Sequence, residues 1–445
     1  MKKITLMVAA VLVAATSWAQ NPTVSKVWEF SAAATSDAGG RPTYIGSADK
    51  CRGLAFGTVG SEKILVVPTR EPANAVHVID ATSGIVLRQL NISTLTGGTY
   101  LLNDAGITTD GKILVGNLAL GTAGSFKVYK WEDAQSTTVP TVAISFPINS
   151  DASRFGDHFI VTGSMSNGTA KVYAASAAKV TLNTVANVQK ILCWSMIPDT
   201  NNPGSYIFDQ ANPAVLSASI INTGNAFSAP SVCPLPNGKY IFKGNGSNMV
   251  MLNSDGTLEG TSSLSTIVPT GGNGVKYIKT ITGENGAADT TYVAYFRYGS
   301  GFERADIFKM PNNTFAGSAW STMTNSLGAN GNTNGVGRVC VENNQDGSAN
   351  LYVLGTNNGI GKYSVVWPST PTSINTTKQS LKITKTSSLL KVEGVAPTSI
   401  ELFNTMGQKV QSVINRNELN ISNLRGVHIV KVNVNGQVST QKINL

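Results

Sequence analysis

The chain has 445 residues, 41% hydrophobic and only 13% charged, with 44 glycines and a formal net charge of +9. A single core stops growing near roughly 250–300 residues, so this length implies division into units or repeats. Lys2 and Lys3 carry two of the surplus charges, and nine Lys/Arg against three Glu from Thr376 onward carry six more, which leaves a body near +1 with no electrostatic footprint for nucleic acid.

The first residues read as a signal peptide over 1–19. Lys2-Lys3 is followed by the apolar run Ile4–Ala15 and by Ser17-Trp18-Ala19, a small-x-small cleavage site before Gln20. The run is about twelve residues, short of the roughly 20 that a spanning helix needs. No Cys follows the cleavage site, and no later stretch is apolar enough to span, so no transmembrane helix is expected. The expected location is exported, at the cell surface or extracellular, with the periplasm as the alternative.

Residues 20–368 read as all-β. Short runs of Val, Ile, Thr and Tyr alternate with turn residues, and helical periodicity is nearly absent. A weak repeat is anchored by a tight turn and a following strand, as in Asp110-Gly111 before Ile113-Leu114-Val115 and Asn237-Gly238 before Tyr240-Ile241-Phe242. Asp346-Gly347 is a third copy, and looser ones surround Gly60, Gly168, Gly204 and Gly286. Asn-Gly and Asp-Gly suit type I′ hairpins, which need positive φ at both central residues. Strand, turn, strand, turn, strand is the construction of a propeller blade, at roughly 40–50 residues each. The spacing predicts a β-propeller of about seven blades, with six as the alternative because the copies near Asn167, Gly204 and Gly238 are crowded. Val24–Phe30 is the expected closing strand, paired to the blade that ends at Trp367, with Trp28 and Trp367 as packing residues.

Residues 369–376, rich in Pro, Ser and Thr, read as a linker. Residues 377–445 then form a separate small β-sandwich, with strands at Leu381–Ile383, Leu390–Val392, Ser399–Phe403 and Val427–Val434 and a hairpin turn at Asn435-Gly436.

The candidate site residues precede or begin the innermost strands. They are Arg52, Asn103, Asp104, Arg154, Asp157, Lys276 and Arg338. A mixed ring of Arg and Asp suits a polar or anionic ligand, since Arg grips carboxylates bidentately. The competing reading is that these groups pair with one another and hold blades in register. Catalytic signatures are sparse. No G-x-S-x-G, H-E-x-x-H or P-loop occurs. Asp104, Asp157 and His158 are the candidates for acid/base chemistry on a polysaccharide. Trp131, Trp194 and Trp320 are either packing residues or stacking platforms. No cofactor is expected, no metal site is assigned, and calcium is the one alternative, in Asp/Asn-rich turns. Cys51, Cys193, Cys233 and Cys340 form no C-x-x-C motif, and a Cys51–Cys340 disulfide is an alternative to buried thiols.

Two resemblances extend this reading. Ile400–Val410, Leu419–Leu424 and Gly426–Val432 resemble the C-terminal sorting domains of the type IX secretion system. Ile374-Asn375-Thr376 stands where that pattern has Asn-Pro, and the end is Asn444-Leu445 rather than lysine-rich. The resemblance implies a partner in outer-membrane secretion machinery and a Bacteroidetes-like source. The body resembles the DUF4623 propeller-like family through Arg52-Gly53-Leu54-Ala55, Val76–Asp80, Asn103–Ile107, Lys127–Trp131 and Phe155–Phe159. That family brings no established activity. The expected function is binding of a glycan or other polar extracellular ligand at the propeller channel. The alternatives are a polysaccharide hydrolase or lyase, and a structural or adhesion protein.

Overall fold

The computed structural model describes residues 21–46, 50–120, 124–148, 154–176, 189–220, 228–259, 267–283, 288–299, 301–368, 382–393, 396–434 and 437–445. The signal peptide, the linker and the turns at Gly286 and Asn435-Gly436 lie outside them. Two compact units divide the chain, Met1–Pro368 and Ser369–Leu445. Every regular element among the described residues is a strand, and every pairing is antiparallel.

The first unit opens with β1 (Thr23–Ser31). Sheet 1 then orders β2 (Ala55–Val59), β3 (Glu62–Thr69), β4 (Ala75–Asp80) and β5 (Val86–Gln89). Sheet 2 orders β6 (Tyr100–Ile107), β7 (Ile113–Leu120), β8 (Ser125–Trp131) and β9 (Thr141–Pro147), with the short β10 (Arg154–Phe155) also on β7. Sheet 3 holds β11 (Phe159–Thr162), β12 (Lys171–Ala175) and β13 (Gln189–Pro198), with β14 (Tyr206–Phe208) and β15 (Ala214–Ile220) both paired to β13. Sheet 4 is β16 (Ser228–Pro234), β17 (Tyr240–Asn245) and β18 (Val250–Leu252). Sheet 5 is β19 (Gly272–Ile281), β20 (Thr290–Arg297), β21 (Arg304–Pro311) and β22 (Ala319–Met323). Sheet 6 is β23 (Gly337–Asn343), β24 (Ala349–Gly355) and β25 (Gly359–Val366). The N-terminal β1 completes sheet 6 by pairing with β25, from Thr23↔Val366 to Ser31↔Gly359.

These strands read as unbroken apolar runs because both faces are covered. On β3, Ile64 and Val66 enter the core shared with sheet 2, while Leu65 and Val67 enter the core shared with sheet 6. The same division recurs on β20, where Tyr292 and Phe296 face sheet 6, and Val293 and Tyr295 face sheet 4. Six cores result, each shared by two consecutive sheets, and the sixth joins sheet 6 to sheet 1. The first strands β2, β6, β11, β16, β19 and β23 neighbour one another in that order, and β23 also neighbours β2. The first unit is therefore all-β and propeller-like.

The anchoring turns differ from the expected type I′. At Gly111, Gly238 and Gly347 only the glycine has positive φ, at 81°, 82° and 83°. Each glycine N–H donates to the carbonyl three residues back, at Thr108, Leu235 and Asn344. These are type I turns closed by a left-handed residue, the usual three-residue hairpin loop. Asn237 and Asp346 favour them by accepting the N–H two residues on, from Lys239 and Ser348. Gly204 lies between β13 and β14, inside sheet 3.

The second unit has β26 (Lys382–Lys385), β27 (Leu389–Glu393), β28 (Ser399–Asn404), β29 (Lys409–Ile414), β30 (Glu418–Asn420), β31 (Val427–Val434) and β32 (Gln437–Asn444). Two sheets, β26-β27-β30 and β29-β28-β31-β32, share a core of Leu390, Val392, Ile400, Leu402, Leu419, Ile421, Val430 and Val432. Alternation along β31 places Val430 and Val432 inside and leaves Ile429 partly exposed, the pattern of a sandwich strand.

Candidate functional site

The polar residues at the starts of the innermost strands converge. Arg52 precedes β2, Asn103 and Asp104 lie on β6, and Asp157 and His158 precede β11. Arg52 Nη2 lies 2.9 Å from Asp157 Oδ1, with both side chains sealed from solvent. Arg154 grips the same carboxylate with Nε and Nη2, and its own side chain is 27% exposed. Asn103 Nδ2 donates to the carbonyls of Gly156 and Asp157 at 2.6 and 3.0 Å. Asp104 Oδ2 accepts the Phe159 N–H at 2.9 Å and lies 3.0 Å from Arg338 Nη2. Arg338 Nη2 also donates to the Phe159 carbonyl. The network thus ties sheets 1, 2, 3 and 6 together.

Burial alone would push the Asp157 carboxyl up, but Arg154 and Arg52 outweigh it and hold the group below its ordinary value. Burial pushes His158 below its ordinary value, Asp104 opposes this, and Arg338 and Arg52 add to it. His158 Nδ1 stands 3.6 Å from Asp104 Oδ2, beyond hydrogen-bond reach. His158 is therefore a neutral, buried imidazole. Asp104 and Asp157 have no solvent-facing oxygen, which suits cross-linking of sheets better than proton transfer to a polymer.

Lys276 and Arg338 line a narrow cavity of about 50 Å³ between the first strands of sheets 1, 2, 3, 5 and 6. Apolar groups such as Leu54, Ile107, Phe159 and Val339 form the rest of its wall, with Cys340. A sugar ring does not fit such a space. A larger groove of about 650 Å³ lies where the chain approaches β2 and β6. Lys50, Arg70, Asn74 and Tyr100 line it together with the loop from Leu95 to Thr99. Arg70 lies over the Tyr100 ring at 3.7 Å, a cation–π contact that fixes both groups. Gly97 and Gly98 have φ of 89° and 77°, and a Cβ on Gly98 would stand 2.5 Å from Asn117 Nδ2. Lys127 Nζ lies beside this loop, 3.5 Å from Thr96 Oγ1. Among the described residues no carboxylate lines the groove. A groove of about 970 Å³ on the second unit mixes Arg416 with Glu418 and so presents no single sign of charge.

Most of the other candidates resolve into packing, and Trp320 does not. Trp131 and Trp194 are fully buried, and Trp131 Nε1 donates to the Asn91 carbonyl at 2.9 Å. Trp320, on β22, is 46% exposed. Trp28 and Trp367 are buried in the cores that sheet 6 shares with sheets 1 and 5. All four cysteines are buried thiols, with Cys51 and Cys340 in the same core. Among the described residues no three His, Cys, Asp or Glu side chains converge as a metal site. Turn carboxylates such as Asp110 instead accept backbone N–H groups, here those of Met165 and Ser166.

Lys50, Arg70 and Tyr100 were not among the residues expected from sequence. Their one sequence signal is the Thr96-Gly97-Gly98-Thr99 break directly before the apolar start of β6.

A DUF4623 family protein from Bacteroides eggerthii is similar in structure, with a TM-score of 0.54 and 15% identity over 78% of this chain and 74% of that one. A calcium-binding protein, regucalcin, from Agrobacterium tumefaciens aligns with a TM-score of 0.41 and 14% identity over 74% of this chain and 95% of that one. No protein-family model and no curated protein matches the chain. At these identities the first likeness is one of fold.

Proposed function

We propose that the chain is an exported binding protein whose first unit is a closed six-bladed propeller and whose ligand is an acidic glycan. The six cores shared by consecutive sheets and the β1–β25 pairing support the closed ring. The single observation that carries the ligand class is the groove of about 650 Å³, whose described lining brings the cations Lys50 and Arg70 together with Asn74 and Tyr100. Its volume lies within the roughly 300–1,000 Å³ of small-ligand sites. Lys and Arg with a polar amide and an aromatic suit a uronate, whose carboxylate and hydroxyls need both charge and hydrogen bonds. The ligand thus sits at the rim where the innermost strands begin, not inside the channel. The tail's likeness to sorting domains supports passage through outer-membrane secretion machinery.

The test is retention of the purified mature chain on immobilised polygalacturonate and on a neutral dextran, with product release measured in parallel. Retention on the first alone, released by salt and lost in Lys50→Ala/Arg70→Ala, is expected. Equal retention on both polymers, or none on either, overturns the acidic-glycan reading, and steady release of oligosaccharide overturns binding without turnover.

A further inference from the structure

Arg338 and Lys276 present a charge problem that the polar network does not solve. Arg338 is 4% exposed, and its Nε is buried with no hydrogen-bond partner. One carboxylate, Asp104, matches its charge at 3.0 Å. Lys276, on β19 and half-buried, lines the same cavity, and among the described residues no carboxylate pairs with it. The two neighbouring thiols do not supply a negative charge. Cys340 Sγ donates to the Leu54 carbonyl at 3.0 Å, and Cys233 Sγ to the Pro234 carbonyl at 3.7 Å, as neutral thiols do. Burial holds both thiols above their ordinary values, although Lys276 and Arg338 are near enough to each of them to pull the other way. Both cations thus line one cavity, and among the described residues the one carboxylate that pairs with either of them is Asp104.

The geometry points to a small-anion site in the channel, in which Lys276 Nζ and the Arg338 guanidinium hold one monovalent anion of nitrate, formate or chloride size. The charge follows from the excess of cations over carboxylates along this wall, where Asp104 is already matched by Arg338. The size follows from the cavity of about 50 Å³, enough for a few waters or one such ion. Arg338 Nε supplies a directed N–H, and Lys276 supplies the compensating charge. This site is separate from the rim groove and stands whether or not the groove binds a glycan.

The experiment is thermal unfolding of the full mature chain titrated with sodium nitrate, formate or chloride, at ionic strength held constant with sodium sulfate. A rise in Tm that becomes linear in the logarithm of anion concentration above Kd is expected, because an ion at concentration c that binds only the folded state stabilises it by RT ln(1 + c/Kd). Lys276→Met should weaken the apparent affinity by at least about tenfold, a loss of one charge contact. Lys276→Gln is the second variant should the first fold poorly. Bromide soaked into crystals should give an anomalous peak between Lys276 and Arg338. A wild-type Tm that does not rise with the anion overturns the proposal in favour of a cavity filled by water. So does a Lys276 variant that keeps the full dependence, or bromide absent from the cavity.

Discussion

Arg52 and Asp157 are 105 positions apart, yet they form a 2.9 Å ion pair whose two side chains are almost completely buried. The pair joins the approach to sheet 1 to the approach to sheet 3, across sheet 2. Removing the carboxylate leaves two arginines facing each other. Asp157→Ala is therefore expected to destabilise the first unit by about 3–5 kcal/mol, measured by urea unfolding. Asp157 sits below its ordinary value in the fold. The unfolded chain thus binds its proton first as pH falls, so this stabilisation is full above the ordinary carboxylate pKa and disappears as pH falls through the folded value. Wild type should lose stability on acidification more steeply than Asp157→Ala.

Glu303 shows the opposite sign. It is 2% exposed, its carboxylate is met by Asn332 Nδ2 at 3.0 Å, and among the described residues no cation pairs with it. Burial pushes it up from 4.5 to about 7. The folded chain then holds a proton that the unfolded chain releases, so stability is full below about 4.5 and falls as pH rises through about 7. The loss is of order 3 kcal/mol for a shift of this size. Relative to wild type, Glu303→Gln should gain stability as pH rises from about 4 to about 8, read as the difference in unfolding midpoint.

Much of the fold was legible because two physical constraints leave marks in sequence. A left-handed residue that closes a hairpin demands glycine, and Gly111, Gly238 and Gly347 each mark the first turn of a sheet. Strands buried on both faces show as unbroken runs such as Ile64–Val67. The crowded spacing near Gly204 arose because the same turn chemistry serves β13 and β14 within one sheet, where a turn signal cannot state its rank. The polar residues ahead of the innermost strands were legible as a set. Their pairing was not, since whether Asp157 faces Arg52 or a ligand depends on cross-sheet distances that no local pattern encodes. The rim groove was missed for a similar reason. Lys50, Arg70 and Tyr100 come from three segments, each unremarkable alone.

The groove makes a prediction about salt. Exposed cations that bind a polyanion are screened over about 8–10 Å at physiological ionic strength. Retention on polygalacturonate should therefore fall several-fold between 50 and 300 mM NaCl, roughly as expected for screened rim charges. Tyr100→Ala should weaken retention without flattening that salt dependence, because it removes the ring that Arg70 lies over rather than a charge. Gly98→Ala should weaken it as well, since a Cβ there would meet Asn117 and displace the loop. Both are read by affinity electrophoresis across the salt series.

The proposed export makes a prediction at the N-terminus, where β1 begins. The mature chain is expected to start at Gln20, checked by intact mass and N-terminal sequencing of the extracellular form. That start leaves β1 whole, and β1 is what covers the outer edge of β25. Trp28 packs in the core shared with sheet 1 and donates from Nε1 to the Ala81 carbonyl at 3.3 Å. The adjacent Glu29 is sealed and accepts from Tyr363 Oη at 2.7 Å. Trp28→Ala should cost about 3–5 kcal/mol, as for other buried large-to-small changes. Tyr363→Phe should cost about 1–3 kcal/mol by stranding a buried carboxylate oxygen. A chain that starts after Ser31 lacks the strand altogether and exposes β25 as a bare edge, a template for pairing with other chains. It is expected to aggregate, measured as loss of monomer by size-exclusion chromatography. A monomeric, fully folded truncation would show that β1 is not needed to complete the first unit.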